Sequence, residues 1–322
     1  DARYDAVFGV VSGTMNHIGW LADTTVTRNY DQWYPMYQLR YEMTDWFHIR
    51  AAYTKSSSRP TFSEVVPRSV IDPQRNFVRR SNPDLVPSTA TNYDMSFTFY
   101  GNRIGLFTIG AFYKDIENLI YTRTLRVLQD YEELGLSRAE RNYELTQPFN
   151  NPLETSVRGV ELEWQSNFTF LPYPFNGVVI NANFTAMNTE TQYPRSQAVF
   201  TVDGIVRVDT FRVGRMPEQP DYIANVSVGY DYRGFSARVT MLHQGPQLFA
   251  VGLRPEFDRN TTEITRFDAV IRQRLLGDML SVYLNIHNIT NEPDGAILFS
   301  DQFPTRREYY GRSFDLGLRM TF

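Results

Sequence analysis

The chain of 322 residues carries 32 basic and 36 acidic side chains, a formal charge of -4, and no cysteine. The mild charge argues against nucleic acid as the main partner, and without cysteine there is neither a disulfide framework nor a thiolate metal site. No run of about 18 apolar residues occurs, so no helix crosses a bilayer. Aromatics reach 15 %, with 20 Tyr and 23 Phe, a proportion that barrels with interfacial girdles use. A mean hydropathy of -0.39 is compatible with a membrane barrel, because only alternate strand residues need be apolar.

In chain order, residues 4–12 read as a strand and 13–32 as a loop. Residues 1–4 lack the basic start and apolar core of a signal peptide, so either a signal was removed or the chain begins inside something larger. Tyr37, Leu39, Tyr41 and Met43 then alternate with Gln38, Arg40, Glu42 and Thr44. After a turn near Asp45, Phe47, Ile49, Ala51 and Tyr53 alternate with His48, Arg50, Ala52 and Thr54, which predicts a hairpin. Residues 56–88 hold Pro60, Pro67, Pro73, Pro83 and Pro87 and read as irregular. Tyr93, Met95, Phe97 and Phe99 open a second hairpin, turned at Gly101 and Asn102 and returning over residues 103–114.

Residues 115–155 form the longest connection, with a short helix expected over 127–142. Val160, Leu162 and Trp164 alternate with Glu161, Glu163 and Gln165; after a compact turn at 171–177, Val178 to Ala186 lead back. Residues 189–218 read as a loop. The hairpin over 224–241 turns at Arg233 and Gly234. A loop over 245–262 precedes strands at 267–272 and 280–287, joined by a turn at 276–278. A loop over 289–309 precedes the last strand. There Phe314, Leu316, Leu318, Met320 and Phe322 share one parity, and Asp315, Gly317, Arg319 and Thr321 share the other.

About twelve strands thus alternate short turns with long loops. Antiparallel pairing places all short turns at one end and all long loops at the other. That asymmetry belongs to outer-membrane barrels, with periplasmic turns and external loops. The expected fold is an all-β antiparallel transmembrane barrel whose C-terminus lies at the periplasmic side.

Several stretches also resemble the TonB-dependent receptor family. They are residues 33–41 (Trp-Tyr-Pro-Met-Tyr-Gln-Leu-Arg-Tyr), 49–55, 59–64 (Arg-Pro-Thr-Phe-Ser-Glu) and 82–94. Further matches lie at 112–116, 158–163, 285–293 and 310–322, in the family's order. The resemblance implies a barrel of about 22 strands with a plugged lumen. Residues 1–322 would then be its C-terminal portion, with the plug domain, the first strands and the TonB-binding segment outside this chain. A complete twelve-stranded barrel is the competing reading.

No phosphate loop, dinucleotide fingerprint, zinc-protease helix or serine nucleophile elbow occurs. His17, His48, His243 and His287 are scattered, and no metal or cofactor is expected. Glu161 and Glu163 share the lumen-facing parity, where partners such as Arg40, Arg50, Arg238, Arg272 or Arg319 suit them better than acid–base catalysis. Candidate substrate contacts in the long loops are Tyr121, Tyr131, Tyr143, Phe200, Phe211, Phe249 and Phe257. Loop packing is the plainer role for each.

The resemblance implies an active transporter that binds a nutrient at the cell surface and imports it with energy from the TonB complex. Expected partners are outer-membrane lipid and the barrel-assembly machinery, which would read the terminal parity ending at Phe322; a partner surface lipoprotein stays open. A passive barrel and a barrel enzyme with a rim site are the alternatives. The substrate class stays open among glycan, peptide, siderophore and cobalamin.

Overall fold

The computed structural model describes residues 2–11, 18–28, 30–101, 103, 105–126, 138, 142–202, 204–252, 254–276, 279–298 and 304–321. In chain order its first strands are β1 (Ala2–Val11), β2 (Ile18–Arg28), β3 (Met36–Thr44), β4 (Phe47–Ser58), β5 (Ser69–Asp72), β6 (Phe77–Arg80), β7 (Ser88–Gly101) and β8 (Gly105–Glu117). Then follow β9 (Ile120–Arg126), β10 (Glu144–Asn150), β11 (Thr155–Asn167), β12 (Val178–Thr201), β13 (Gly204–Gly214), β14 (Tyr222–Tyr232) and β15 (Phe235–Gln244). The last are β16 (Leu248–Ala250), β17 (Arg259–Thr261), β18 (Ile264–Leu275), β19 (Leu280–His287), β20 (Asp294–Leu298), β21 (Pro304–Glu308) and β22 (Ser313–Met320).

The largest sheet is antiparallel and runs β22-β19-β18-β15-β14-β12-β11-β8-β7-β4-β3, with β13 paired to β12 off this path. Neighbours in space are neighbours in sequence, apart from the excursions between alternate pairs. The remaining expected strand, residues 4–12, falls on β1, which pairs with β2 and β5 in a separate sheet. β3 and β22 end the large sheet and do not pair with each other, so the barrel is not closed within this chain.

Period-two alternation sorts the side chains onto two faces. On the apolar face, Phe314, Leu316, Leu318 and Met320 are 63–77 % exposed. Such a band is costly against water and suited to lipid. Tyr37, Tyr53, Tyr93 and Tyr113 lie in lateral register on it, with successive ring centroids 6.0, 5.3 and 6.3 Å apart. Towards the turn end Phe47, Phe99 and Phe107 form a second row, at 4.9 and 6.3 Å, and Trp46 stacks on Phe99 at 6.4 Å. Tyr93 and Phe99 are about 20 Å apart along β7 at ~3.4 Å per residue. Two aromatic rows framing an apolar band are what two lipid–water interfaces select.

The short turns follow local chemistry. Arg233 and Gly234 both take positive φ, 45° and 84°, as a two-residue hairpin turn requires. The long connections depart from the expected loops. Residues 18–28 are β2. The 56–88 segment holds the end of β4, a turn of helix at Phe62–Val65, and the hairpin β5–β6. The 115–155 segment holds β9 and β10, and nearly all of the expected helix at 127–142 lies outside the described residues. The 189–218 segment is the far half of β12 folded against β13. The last two expected loops hold β16, β17, β20 and β21, which form a four-stranded sheet. Buried side chains gather here, including Val65, Ile71, Val78, Leu85, Leu119, Leu145 and Leu248. The loop end thus carries a packed core, whereas the wall presents one face to each side.

Candidate mouth site at the loop end

Four excursions meet above the sheet. Tyr121 on β9 sits opposite Phe149 on β10, edge-on, with centroids 6.1 Å apart. The Tyr121 ring also meets Tyr193 of β12 edge-on at 5.2 Å. Leu248 and Val251 complete this buried cluster. Arg123 lies 3.7 Å over the Phe149 ring, a close cation–π contact.

The β12–β13 hairpin is tied to residues 251–258 by one ion pair. Arg212 Nη2 donates to Asp258 Oδ1 at 2.7 Å and Nη1 to Oδ2 at 3.1 Å, and the two side chains are only 10 % and 16 % exposed. Asp258 Oδ1 also accepts from the Gly252 N–H at 2.8 Å, and Arg212 Nη2 donates to the Gly252 carbonyl at 3.3 Å. Arg212 lies 5.0 Å from the Tyr193 ring centre. The Tyr193 hydroxyl donates to the Arg215 carbonyl at 2.5 Å. Arg215 reaches the Asp221 carboxylate at 2.9 Å and the Pro246 carbonyl at 2.6 Å.

Burial sets the proton affinities of this cluster. It raises both the Tyr193 and the Tyr121 hydroxyl above the ordinary phenol value, opposed at Tyr193 by the Thr191 hydrogen bond and Arg212 and at Tyr121 by Arg123 and Arg212. It pulls Arg123 downward, and Tyr121 partly offsets the effect.

Below the cluster opens a cavity of about 850 Å³, bounded by the loop-side ends of β4 and β7 and by β6, β9, β10, β16 and the segment before β14. Tyr121 and Phe249 both line it, as do Arg79, Glu144, Glu218 and Arg259. A second concavity of about 660 Å³ lies on the polar face of the wall, with Arg40, Arg50, Asp94 and Glu161 around it. There the expected pairing of the glutamates changes. Arg40 pairs with Glu42 at 2.7 Å and Arg238 with Asp231 at 2.7 Å. Glu163 accepts from Gln165 Nε2 at 2.6 Å. Nearer carboxylates thus take Arg40 and Arg238, and among the described residues no ion pair joins Glu161 or Glu163 to an arginine.

Of the expected contact residues, Tyr121 is 6 % exposed and anchors the packing, while Phe249 is 45 % exposed beside the cavity. Tyr143 is half-buried just before β10, Phe200 lies in β12, and Tyr131 lies outside the described residues. Phe211 on β13 and Phe257 in the 3-10 turn Pro255–Phe257 are exposed and do not line the cavity. Phe314, Leu316, Leu318 and Met320 lie on β22, and Phe322 is outside the described residues. Reading the sequence missed Tyr193, Arg212 and Asp258. The alternation of Val206 and Val208 with Arg207 and Asp209 was the available signal for β13.

The model of the TonB dependent receptor-like β-barrel family matches residues 2–289. A search of curated proteins returns no match. Solved structures with the same fold include the ferric enterobactin receptor PfeA of Pseudomonas aeruginosa, 15 % identical, TM-score 0.57, matching 90 % of this chain and 40 % of that one. The siderophore receptor PirA of Acinetobacter baumannii matches at 15 % identity and TM-score 0.56 over 90 % of this chain and 41 % of its own. The Serratia marcescens hemophore receptor HasR, solved with its hemophore and heme, matches at 14 % identity and TM-score 0.56 over 100 % of this chain and 46 % of its own. This chain therefore spans less than half the length of these structures. The matched family and these neighbours are receptors rather than enzymes. By the extent of the family match and the wall it builds, the chain belongs to the TonB-dependent receptor-like β-barrel family of the outer membrane.

Proposed function

We propose that this chain is the C-terminal part of the wall of an outer-membrane active transporter, which binds a nutrient at its external mouth and imports it with energy from TonB. The observation that carries this reading is the asymmetry of the sheet. Turns close one end tightly, while four of the long connections, 56–88, 115–155, 189–218 and 245–262, contribute residues around a cavity at the other. A passive pore has no need of a packed mouth, whereas a receptor needs one to position ligand contacts. Structural neighbours that bind a siderophore, or heme with its hemophore, support a scarce nutrient as cargo.

On this reading the turn end and the C-terminus face the periplasm. A plug and a TonB-binding segment belong to the rest of the receptor. The barrel-assembly machinery reads the apolar parity of β22, and a surface lipoprotein can cover the mouth.

The test is uptake by cells producing the full-length receptor, with and without TonB. Uptake that requires both receptor and TonB is the expected result. Uptake that persists without TonB would make the protein a passive channel. An intact mass of the full protein close to the 37.4 kDa of this chain would remove the plug from the mechanism.

A further inference from the structure

We infer that residues 168–177, the turn joining β11 to β12, form a membrane foot. Its aromatic rings insert among the phospholipid head groups beside the turn end of the wall, and Arg233 at its margin takes a lipid phosphate. Its role is to seat the wall, apart from cargo binding and energy coupling.

The length and composition of the turn are the first ground. Ten residues lie between Asn167 and Val178, whereas two to four join β3 to β4, β7 to β8, β14 to β15 and β18 to β19. A tight hairpin needs only two. The ten read Phe-Thr-Phe-Leu-Pro-Tyr-Pro-Phe-Asn-Gly and include no charged side chain. Phe170, Tyr173 and Phe175 are 45, 68 and 59 % exposed. Such a surface is costly against water, whereas aromatic rings are favoured at a lipid–water interface.

The second ground is continuity with the lipid face. Trp164 shares the outward parity of Val160 and Leu162 on β11, and it meets Phe168 edge-on at 6.3 Å. Phe168 in turn lies 5.8 Å from Phe170. On the other side Tyr173 lies 5.5 Å from Tyr232, which shares the outward parity of Val228 and Tyr230 on β14. The rings of the turn thus join the lipid-facing side chains of two strands. A turn built to meet a periplasmic protein has no need to lean onto the lipid side of both.

The backbone gives the third ground. Pro172 and Pro174 carry no N–H. Phe168 donates to the Val178 carbonyl at 3.0 Å, Leu171 to the Phe168 carbonyl at 3.0 Å and Phe175 to the Pro172 carbonyl at 2.9 Å. A turn with few open donors enters a medium poor in water at low cost. Beside it the exposed Arg233 guanidinium lies 5.2 Å from the Tyr232 ring centre, at the level where a head-group phosphate offers a charge-assisted contact.

The experiment places a nitroxide spin label at Phe175→Cys, and separately at Tyr173→Cys, in the full-length receptor. The receptor is held in nanodiscs of phosphatidylethanolamine and phosphatidylglycerol, with the unsubstituted protein as the labelling blank. Collisions with oxygen, which concentrates in lipid, are compared with collisions with a water-soluble nickel chelate. Labels at Leu316→Cys and Glu308→Cys serve as lipid and water references. The oxygen-to-nickel ratio at both turn positions is expected to stand several-fold above that at residue 308. Arg233→Glu should lower it about twofold or more, and Arg233→Lys should keep it. A ratio equal to that at residue 308 would leave the rings in water, open to a protein partner, and would overturn the inference. Few collisions with either reagent would mean that the rest of the receptor covers the turn, and would overturn it too. A ratio indifferent to Arg233→Glu would overturn the phosphate contact. The two leaflets of a nanodisc are alike and TonB is absent, so failure here is distinct from failure of the uptake test.

Discussion

The Tyr283 ring of β19 lies on Gly317 of β22, its register partner, so closely that a Cβ added at Gly317 would stand 2.2 Å from Tyr283 Cζ. The ring covers the glycine on the polar face of the wall and pins the last strand. Gly317→Val is expected to lower stability by about 1–3 kcal/mol through overpacking. It should also lower the temperature at which the purified receptor unfolds in detergent. Adding Tyr283→Ala should restore part of the loss, because the clash is then gone. Equal losses in the single and double variants would mean that the contact does not set the cost.

Arg212 and Asp258 join two excursions that are 46 residues apart in sequence. Both side chains are nearly out of water, so losing one leaves the other charge buried without its partner. Asp258→Ala is expected to cost about 3–5 kcal/mol locally. The β12–β13 hairpin should then become susceptible to protease while the wall stays intact. Limited proteolysis of the full receptor checks this, and a cleavage pattern like that of the wild type would refute it.

The wall was legible because its two faces meet different surroundings. Tyr93, Met95, Phe97 and Phe99 alternate with polar residues, since every second side chain answers to lipid. The mouth was not. β5 is Ser-Val-Ile-Asp, four residues without an extended alternation, and prolines surround it. β12 was cut short at residue 186 because its far half pairs only with β13, away from the two-faced wall. Tyr121 and Phe249 were found as loop aromatics, yet composition could not separate the packed ring from the exposed one. The Arg212–Asp258 pair leaves no trace in sequence, because its spacing is set by the path of the chain.

The mouth should weaken in alkali. The Tyr193 hydroxyl ionises above its ordinary value of 10.0 because burial penalises the phenolate. In the unfolded chain it ionises near that ordinary value. Its contribution to stability is therefore complete below about pH 10 and is lost as pH rises from there through the raised folded value. Spectroscopic titration should show a group of tyrosines, Tyr121 among them, ionising later than the rest, and Tyr193→Phe should lower the size of that group by one. Simultaneous ionisation of all tyrosines would contradict the packing described for this cluster.

Assembly gives the next expectation. The terminal parity of Phe314, Leu316, Leu318 and Met320 continues to Phe322 in the sequence. If that end is the recognition element, deleting Phe322 lowers the surface level of the full receptor several-fold. The same deletion should leave transcript and precursor levels unchanged. Unaltered surface levels would assign recognition to another part of the chain.

Leu316 separates the lipid face from the lumen face in one comparison. It pairs in register with Leu284, and its side chain is 77 % exposed on the apolar face. A charge there must be buried in hydrocarbon, so Leu316→Arg is expected to cost about 2–4 kcal/mol if the site lies near the bilayer midplane. Asn285 is next to Leu284 but points to the other face, opposite Asp315. Asn285→Arg gains a nearby carboxylate and stays in water, so its expected cost is near zero. Both variants add the same side chain to the same strand pair and differ only in the side they face. Folding equilibria of the two in phospholipid vesicles should therefore separate by most of that difference. If the two arginines cost the same, the apolar parity would not be the lipid face. The exposed band from Phe314 to Met320 would then have to be covered by protein.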